Sequence, residues 1–286
     1  MKPDELVAQQ HSGSHAGRER DHWPELARRW DLSGPPLRVA PEDLRAYAEA
    51  SAAAHAGAPR LLLLGVTPEL YRMPWPAGTD FLAVDRSQAM IDLVWPGPRD
   101  AVRREEWTAL PLPDGSRDLA LCDGGFHLLT HPEGQAQLVE SLHRVLSQGG
   151  LCVLRLFVPP KEPESPDDVL RDLRAGRIAS VNALKLRLGM ALQRGPREGV
   201  RLGAVWDAFQ RAEPDASDLS ARIGWPVEQI LSIDAYRGST GAYHFVTVDQ
   251  AADLFCRDPG GFRVESLRVP SYALGERCPV IALRRD

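Results

Sequence analysis

Residues 60–90 read RLLLLGVTPELYRMPWPAGTDFLAVDRSQAM, and their pattern decides the fold. The apolar run over 61–66 shows no alternation, so it reads as a strand buried on both faces. It breaks at Gly65-Val66-Thr67-Pro68. Pro68 suits the first position of a short helix, where a missing N–H costs nothing. Met73-Pro74-Trp75-Pro76 stops that helix. A second apolar run, 81–84, ends in Asp85. Strand, turn, helix, strand, acid is one βαβ unit, and an acid ending the second strand suits a pair of ribose hydroxyls. The first turn departs from the usual pattern. Nucleotide-type sites place two or three glycines there so that backbone approaches the ligand. Here only Gly65 is present.

The pattern continues toward the C-terminus. Ser87 is a good N-cap for a helix over 88–95, stopped by Pro96-Gly97-Pro98. Strands are expected over 101–107 and 118–122, either side of the turn at 111–116. Residues 132–146 give the clearest helix, because Leu138, Leu142, Val145 and Leu146 recur at three-to-four spacing. Gly149-Gly150 is expected to end it. A buried-type strand follows over 151–158. Five strands alternating with helices predict a parallel sheet covered on both faces.

Toward the N-terminus, residues 1–20 are polar and mixed in charge, and read as a disordered tail. His11 and His15 lie there with no acid or thiol cluster to complete a metal site. Residues 22–56 read as helices with prolines at their first turns and a break at 33–36. Trp23 and Trp30 are seven apart and share a helix face. They either pack this cap onto the main domain or line an entrance. After a Pro/Glu/Lys hinge near 159–165, helices are expected over 166–192, 201–211 and 214–222. A helix over 249–256 and strands over 262–269 and 279–283 close the chain. Residues 1–57 thus read as tail and helical cap, 58–160 with 246–286 as the core, and 161–245 as a helical lid.

Of 286 residues, 43% are hydrophobic, enough for a sizeable core, and the net charge is −5. That balance argues against a general binder of nucleic acid or anionic membrane. No apolar run approaches the ~20 residues of a membrane span. The N-terminus lacks an apolar signal core, which points to the cytoplasm. Cys122, Cys152, Cys256 and Cys278 form no Cys-x-x-Cys pair, as expected of reduced thiols rather than a zinc knuckle.

Four segments in this order carry a resemblance. They are Leu61–Thr67, then Val84-Asp85-Arg86-Ser87-Gln88-Ala89-Met90, then Glu105-Glu106-Trp107-Thr108-Ala109-Leu110-Pro111-Leu112-Pro113-Asp114, and last Leu142-His143-Arg144-Val145-Leu146-Ser147-Gln148-Gly149-Gly150. Together they resemble the class I S-adenosylmethionine-dependent methyltransferase superfamily over about residues 58–158, and more weakly over 245–286. The last two segments are the most specific. The resemblance implies an α/β, Rossmann-like, seven-stranded and mostly parallel sheet, with an N-terminal helical cap and a helical insertion between strands five and six. It implies an enzyme that uses S-adenosylmethionine. The acceptor is expected to be a small molecule. The alternatives are a non-catalytic ligand-sensing or protein-binding module and, third, an RNA methyltransferase.

The resemblance also implies a site. Gly65 and Thr67 would form the first turn, Asp85 would take the ribose, and Arg86 and Met90 would flank the adenine. Glu106, with Glu105 as rival, would accept from the adenine amino group, and the Trp107 N–H would meet the ring. Asp123 and Gly124 would lie where the cofactor's methionine part meets the acceptor. In the first turn Thr67 and Pro68 replace small residues, and Leu63 stands where an acid is usual. Glu69 is one substitute partner for the methionine amino group. Methyl transfer from an activated sulfonium asks mainly for in-line positioning. A base is needed only where the acceptor holds a proton. His127, just past strand four, is the candidate, against a purely structural histidine; no metal site is expected. Tyr236, Tyr243 and His244 are candidate acceptor contacts, or else packing of the lid. The basic run from Arg171 to Arg201 reads as a mostly solvated face.

Overall fold

The structure, a computed structural model, describes residues 21–54, 57–257 and 261–286. The expected tail, with His11 and His15, lies outside the described residues. The strands are β1 (Arg60–Leu64), β2 (Asp80–Asp85), β3 (Val102–Arg104), β4 (Arg117–Asp123), β5 (Leu146–Arg155), β6 (Val200–Arg201), β7 (Ala242–Tyr243), β8 (Phe262–Arg268) and β9 (Val280–Arg285). Seven form one sheet in the order β3-β2-β1-β4-β5-β9-β8, and β6 and β7 form a separate short ribbon. The first five sheet strands run parallel, while β9 is antiparallel to both β5 and β8. This is the Rossmann-like sheet that the resemblance implied. Strand order reverses between β1 and β4, so a crevice opens beyond their C-terminal ends.

The helices are α1 (Trp23–Arg28), α2 (Pro41–Ala54), α3 (Pro68–Tyr71), α4 (Gln88–Leu93), α5 (Glu133–Val145), α6 (Pro166–Arg174), α7 (Val181–Leu192), α8 (Leu202–Ala212), α9 (Ala216–Ile223), α10 (Val227–Leu231) and α11 (Val248–Cys256). The unalternated β1 run is explained by its two covered faces. Leu62 and Leu64 join the core under α5 and α11, whereas Leu61 and Leu63 join the core under the cap. A third core belongs to the insertion: Val169, Leu184, Val205, Leu219 and Phe245 meet there.

Three expectations change. The helix expected over 132–146 ends at Val145, and the next strand already starts at Leu146. Leu146 pairs with Arg117 and Leu151 with Leu119, so the residues between them form a bulge in the strand rather than a helix end. The single helix expected over 166–192 is two. Gly176, at φ +67°, turns the chain after α6, and the Ser180 side chain caps α7 by accepting from the Ala183 N–H. The basic run is not a solvated face throughout, because Lys185 and Arg187 are buried.

The two most specific segments of the resemblance have a structural explanation. Arg144, near the end of α5, donates to the carbonyls of Leu112 (2.5 Å) and Leu110 and to the Asp114 carboxylate (3.0 Å). The helix end thereby holds the loop that follows β3.

Candidate active site

The crevice at the β1–β4 reversal opens into a cavity of about 1090 Å³, its mouth included. Gly65, Thr67, Asp85, Arg86, Met90, Glu106, Trp107, Asp123, Gly124, His127, Tyr236 and Tyr243 all line it. So twelve of the thirteen residues named from sequence come together. His244 does not. Its Nδ1 lies 2.8 Å from the Pro196 carbonyl, and its backbone N–H donates to the His127 carbonyl at 2.7 Å. Its neighbour Tyr243, by contrast, faces His22 and His127.

Asp85 ends β2, and its Oδ1 accepts from the Ser87 N–H at 2.8 Å. Burial raises its pKa to about 6, against the lowering influence of the Ser87 and Val66 backbone N–H groups. The carboxylate thus already fastens the first turn to the α4 cap. Gly65 permits this approach with φ +95°, and a Cβ there would meet the Trp107 ring at 3.7 Å and Asp85 Oδ2 at 3.9 Å. The Trp107 indole N–H donates to the Val84 carbonyl at 2.9 Å, so the ring is fixed beside the turn. Gly125 is required beneath it, because a Cβ would lie 2.5 Å from Cys122 Sγ and 2.9 Å from Trp107.

Glu69, considered above as a substitute partner, does not line the cavity. Arg38 Nε donates to its Oε1 at 2.7 Å, and the Arg38 guanidinium lies 5.0 Å from the Trp30 ring centroid. The degenerate turn is therefore held by the N-terminal cap through an ion pair.

The Asp123 carboxylate is also engaged. Arg155, at the end of β5 and wholly buried, donates to it at 2.5 Å and 3.2 Å. Arg155 also donates to the Pro36 carbonyl at 2.8 Å and pairs with buried Asp43 at 3.3 Å. Burial opposes the charge on Arg155, but Asp123 and Asp43 hold its pKa well above the ordinary value. Tyr47 completes the cluster, accepting from the Arg155 N–H at 2.9 Å and donating to the Cys122 carbonyl at 2.7 Å. The sequence reading missed Arg155. Its signal was a lone cation inside the apolar run LCVLRLFV, where a buried charge requires a partner.

His127 is buried between aromatic rings. Phe245 stacks on it at 5.2 Å between centroids, Tyr243 meets it edge-on at 4.5 Å, and Phe157 lies 5.0 Å away. Its Nδ1 is enclosed without a hydrogen-bond partner. Burial lowers its pKa to about 3, with Arg155 nearby adding to the effect. The ring is therefore neutral at physiological pH. Trp23 and Trp30 both line the cavity and both pack against the cap core, so the two readings of that pair hold together. Sequence reasoning also missed Arg38 and Phe157, which lie far from the quoted motifs.

Among the described residues, no three His, Cys, Asp or Glu side chains cluster to hold a metal ion. Nor is any helix there long and apolar enough to cross a membrane.

Residues 64–154 match a family model described as a methyltransferase domain. Among curated proteins, none matches by sequence. Three solved structures are similar to this chain. A protein of Rhodobacter sphaeroides, named as a Zn-dependent alcohol dehydrogenase, superposes with TM-score 0.56 at 14% identity, over 93% of this chain and 98% of that one. The CcbJ methyltransferase of Streptomyces caelestis superposes with TM-score 0.50 at 15% identity, over 93% and 98%. An S-adenosylmethionine-dependent methyltransferase of Mesorhizobium loti gives TM-score 0.44 at 17% identity, over 84% and 97%. At such identities, the first two establish a shared fold and nothing finer.

Proposed function

We propose that this chain, of which residues 64–154 match a methyltransferase domain, uses S-adenosylmethionine to methylate a small molecule held between the sheet edge and the helical lid. One observation carries this reading. A single cavity joins the strand-end residues Gly65, Asp85 and Glu106 to an aromatic wall from cap and lid, formed by Trp23, Trp30, Tyr236 and Tyr243.

The residues present suit the cofactor. Asp85 ends its strand inside the cavity and, when ionised, accepts hydrogen bonds at both oxygens, as a ribose diol requires. Glu106 and Met90 line the same side, one for the adenine amino group and one for soft apolar contact with the ring. Gly65 and Gly124 both hold positive φ and leave backbone open to close approach. When bound, the cofactor supplies a methyl group already activated on a sulfonium. What remains for this chain is to orient the acceptor, exclude water and meet the acceptor's proton. In this reading the aromatic wall serves the first two, and the neutral His127 imidazole hydrogen-bonds the acceptor's O–H or N–H.

An RNA acceptor is the weaker reading. Arg171, Arg174, Arg177, Arg187 and Arg197 are each paired with a carboxylate, which reduces the charge available to phosphates.

Calorimetry with S-adenosylmethionine and S-adenosylhomocysteine is the direct test of the cofactor site. Binding of both is expected, and no heat from either at millimolar concentration would remove the reading. Tritiated methyl transfer into a fractionated extract, with mass spectrometry of the product, then tests the acceptor. Label in a low-molecular-weight product is expected. Label confined to RNA or protein would overturn the small-molecule part, and cofactor binding without transfer would point to a sensing module.

A further inference from the structure

We propose that the lid side of the cavity takes an uncharged, ring-bearing molecule whose single O–H or N–H meets the His127 imidazole. The proposal names an acceptor class, and as an acceptor assignment it rests on the methyltransferase reading above.

Charge is the first argument. On this side of the cavity the ionic groups already have partners. Arg38 is paired with Glu69, and Asp123 with Arg155. Asp85 and Glu106 belong to the strand ends. Arg86 is the one lining cation without a carboxylate partner among the described residues, and it lies at the exposed mouth. An acceptor bearing a carboxylate or ammonium would therefore lose its hydration beneath the lid without gaining a counter-ion there.

Shape and surface are the second argument. Trp23, Trp30, Phe157, Tyr236 and Tyr243 come from the cap, the end of β5 and the lid, and all face one space. Aromatic walls of this kind favour flat rings through offset or edge contacts.

The third argument is an unmet hydrogen bond. The His127 ring lines the cavity, and its Nδ1 has no hydrogen-bond partner among the described residues. A buried polar atom without a partner is costly, and a ligand that supplies the partner recovers that cost. A neutral imidazole has one donor and one acceptor nitrogen, so either tautomer can meet a hydroxyl. Burial keeps the ring neutral, which removes it as an anion hook.

Three probes of one shape test the proposal by calorimetry on the full chain saturated with S-adenosylhomocysteine: 2-naphthol, naphthalene and 2-naphthoate. The expected result is 2-naphthol binding at least about tenfold tighter than either of the others, the fold-change of one satisfied buried hydrogen bond. His127→Phe should erase the advantage over naphthalene. Tighter binding of 2-naphthoate would overturn the proposal in favour of an anion site at Arg86. Equal affinity for 2-naphthol and naphthalene, or no binding of 2-naphthol, would overturn it as well. These comparisons use the unaltered protein, so they decide the matter even if the variant fails to fold. Failure of S-adenosylhomocysteine to bind is a separate result. It sinks the cofactor reading, while the naphthol series on the protein alone still decides the lid chemistry.

Discussion

Asp85, the residue proposed for the ribose, shows how a binding role can be set against the fold. The proposed contact with two ribose hydroxyls requires the ionised form. Yet burial raises its pKa from 3.8 to about 6, so the empty fold resists that form. The sign follows directly. Between pH 3.8 and about 6 the folded state holds the proton that the unfolded state has released. The cost of the ionised group therefore grows through that window and is fully present at neutral pH. At 1.36 kcal/mol per pKa unit this is roughly 2–3 kcal/mol as an upper figure. Asp85→Asn should raise the melting temperature of the ligand-free protein at pH 7 and weaken S-adenosylmethionine binding at least about tenfold, the worth of a charge-assisted hydrogen bond. Calorimetry across pH 5 to 8 gives the companion test: wild-type affinity should fall below about pH 6, and the variant should lack that dependence. A melting point lowered by the substitution would show that the carboxylate is a structural tie rather than a reserved binding group. Asp85 was legible in sequence because an apolar run ending in one acid has few alternatives. Glu69 was not, since nothing local to the turn foretold that Arg38, thirty-one positions away, would take it.

At the level of elements, β1, β2, β4 and β5 were legible because they carry apolar runs separated by Pro- and Gly-rich turns. Their ends were not. The start of β5 depends on a bulge opposite β4, which is a matter of pairing across the sheet and not of local sequence. Arg155 belongs to this scale, because it joins three elements. It fixes Asp123 at the end of β4, Asp43 in α2 and the Pro36 carbonyl in the cap segment. Arg155→Met should be strongly destabilising, by about 3–5 kcal/mol, because it leaves two buried carboxylates without their cation. Chemical denaturation of the variant at pH 7 measures this directly. Lowering the pH toward the carboxylate range should narrow the gap to wild type as those groups take up protons, whereas a gap constant with pH would mean that packing, not charge, is lost. Gly125→Ala makes a different point on the same strand end. With Cys122 Sγ 2.5 Å from the new Cβ, the Trp107 ring must move, and cofactor affinity should fall with less effect on overall stability.

For the molecule as a whole, one cavity is lined from the cap, the sheet edge and the insertion, and the contacts between these segments join residues that no sequence period relates. His22 and Tyr243 are the plainest case. His22 begins the cap, Tyr243 ends the insertion, and their side chains approach to 3.4 Å. The helices of both segments could be read from their periodicity, but their meeting could not. This junction makes the fold sensitive to acid in a defined direction. Burial lowers the pKa of His22 from 6.5 to about 4, and that of His127 from 6.5 to about 3. Below pH 6.5 the unfolded chain binds protons at both rings that the folded chain refuses, so stability falls steadily from pH 6.5 toward about 4. Asp85 works in the opposite sense over part of that range, so the two histidines must outweigh it for the net slope to be downward. Thermal unfolding from pH 7 to 4.5 should therefore show a falling melting temperature in wild type. His22→Gln keeps a polar group beside Tyr243 but cannot take up a proton, and it should flatten the curve between pH 6.5 and 5. An equally steep curve in that variant would place the acid sensitivity at His127 instead and would free the cap–lid junction from any part in it.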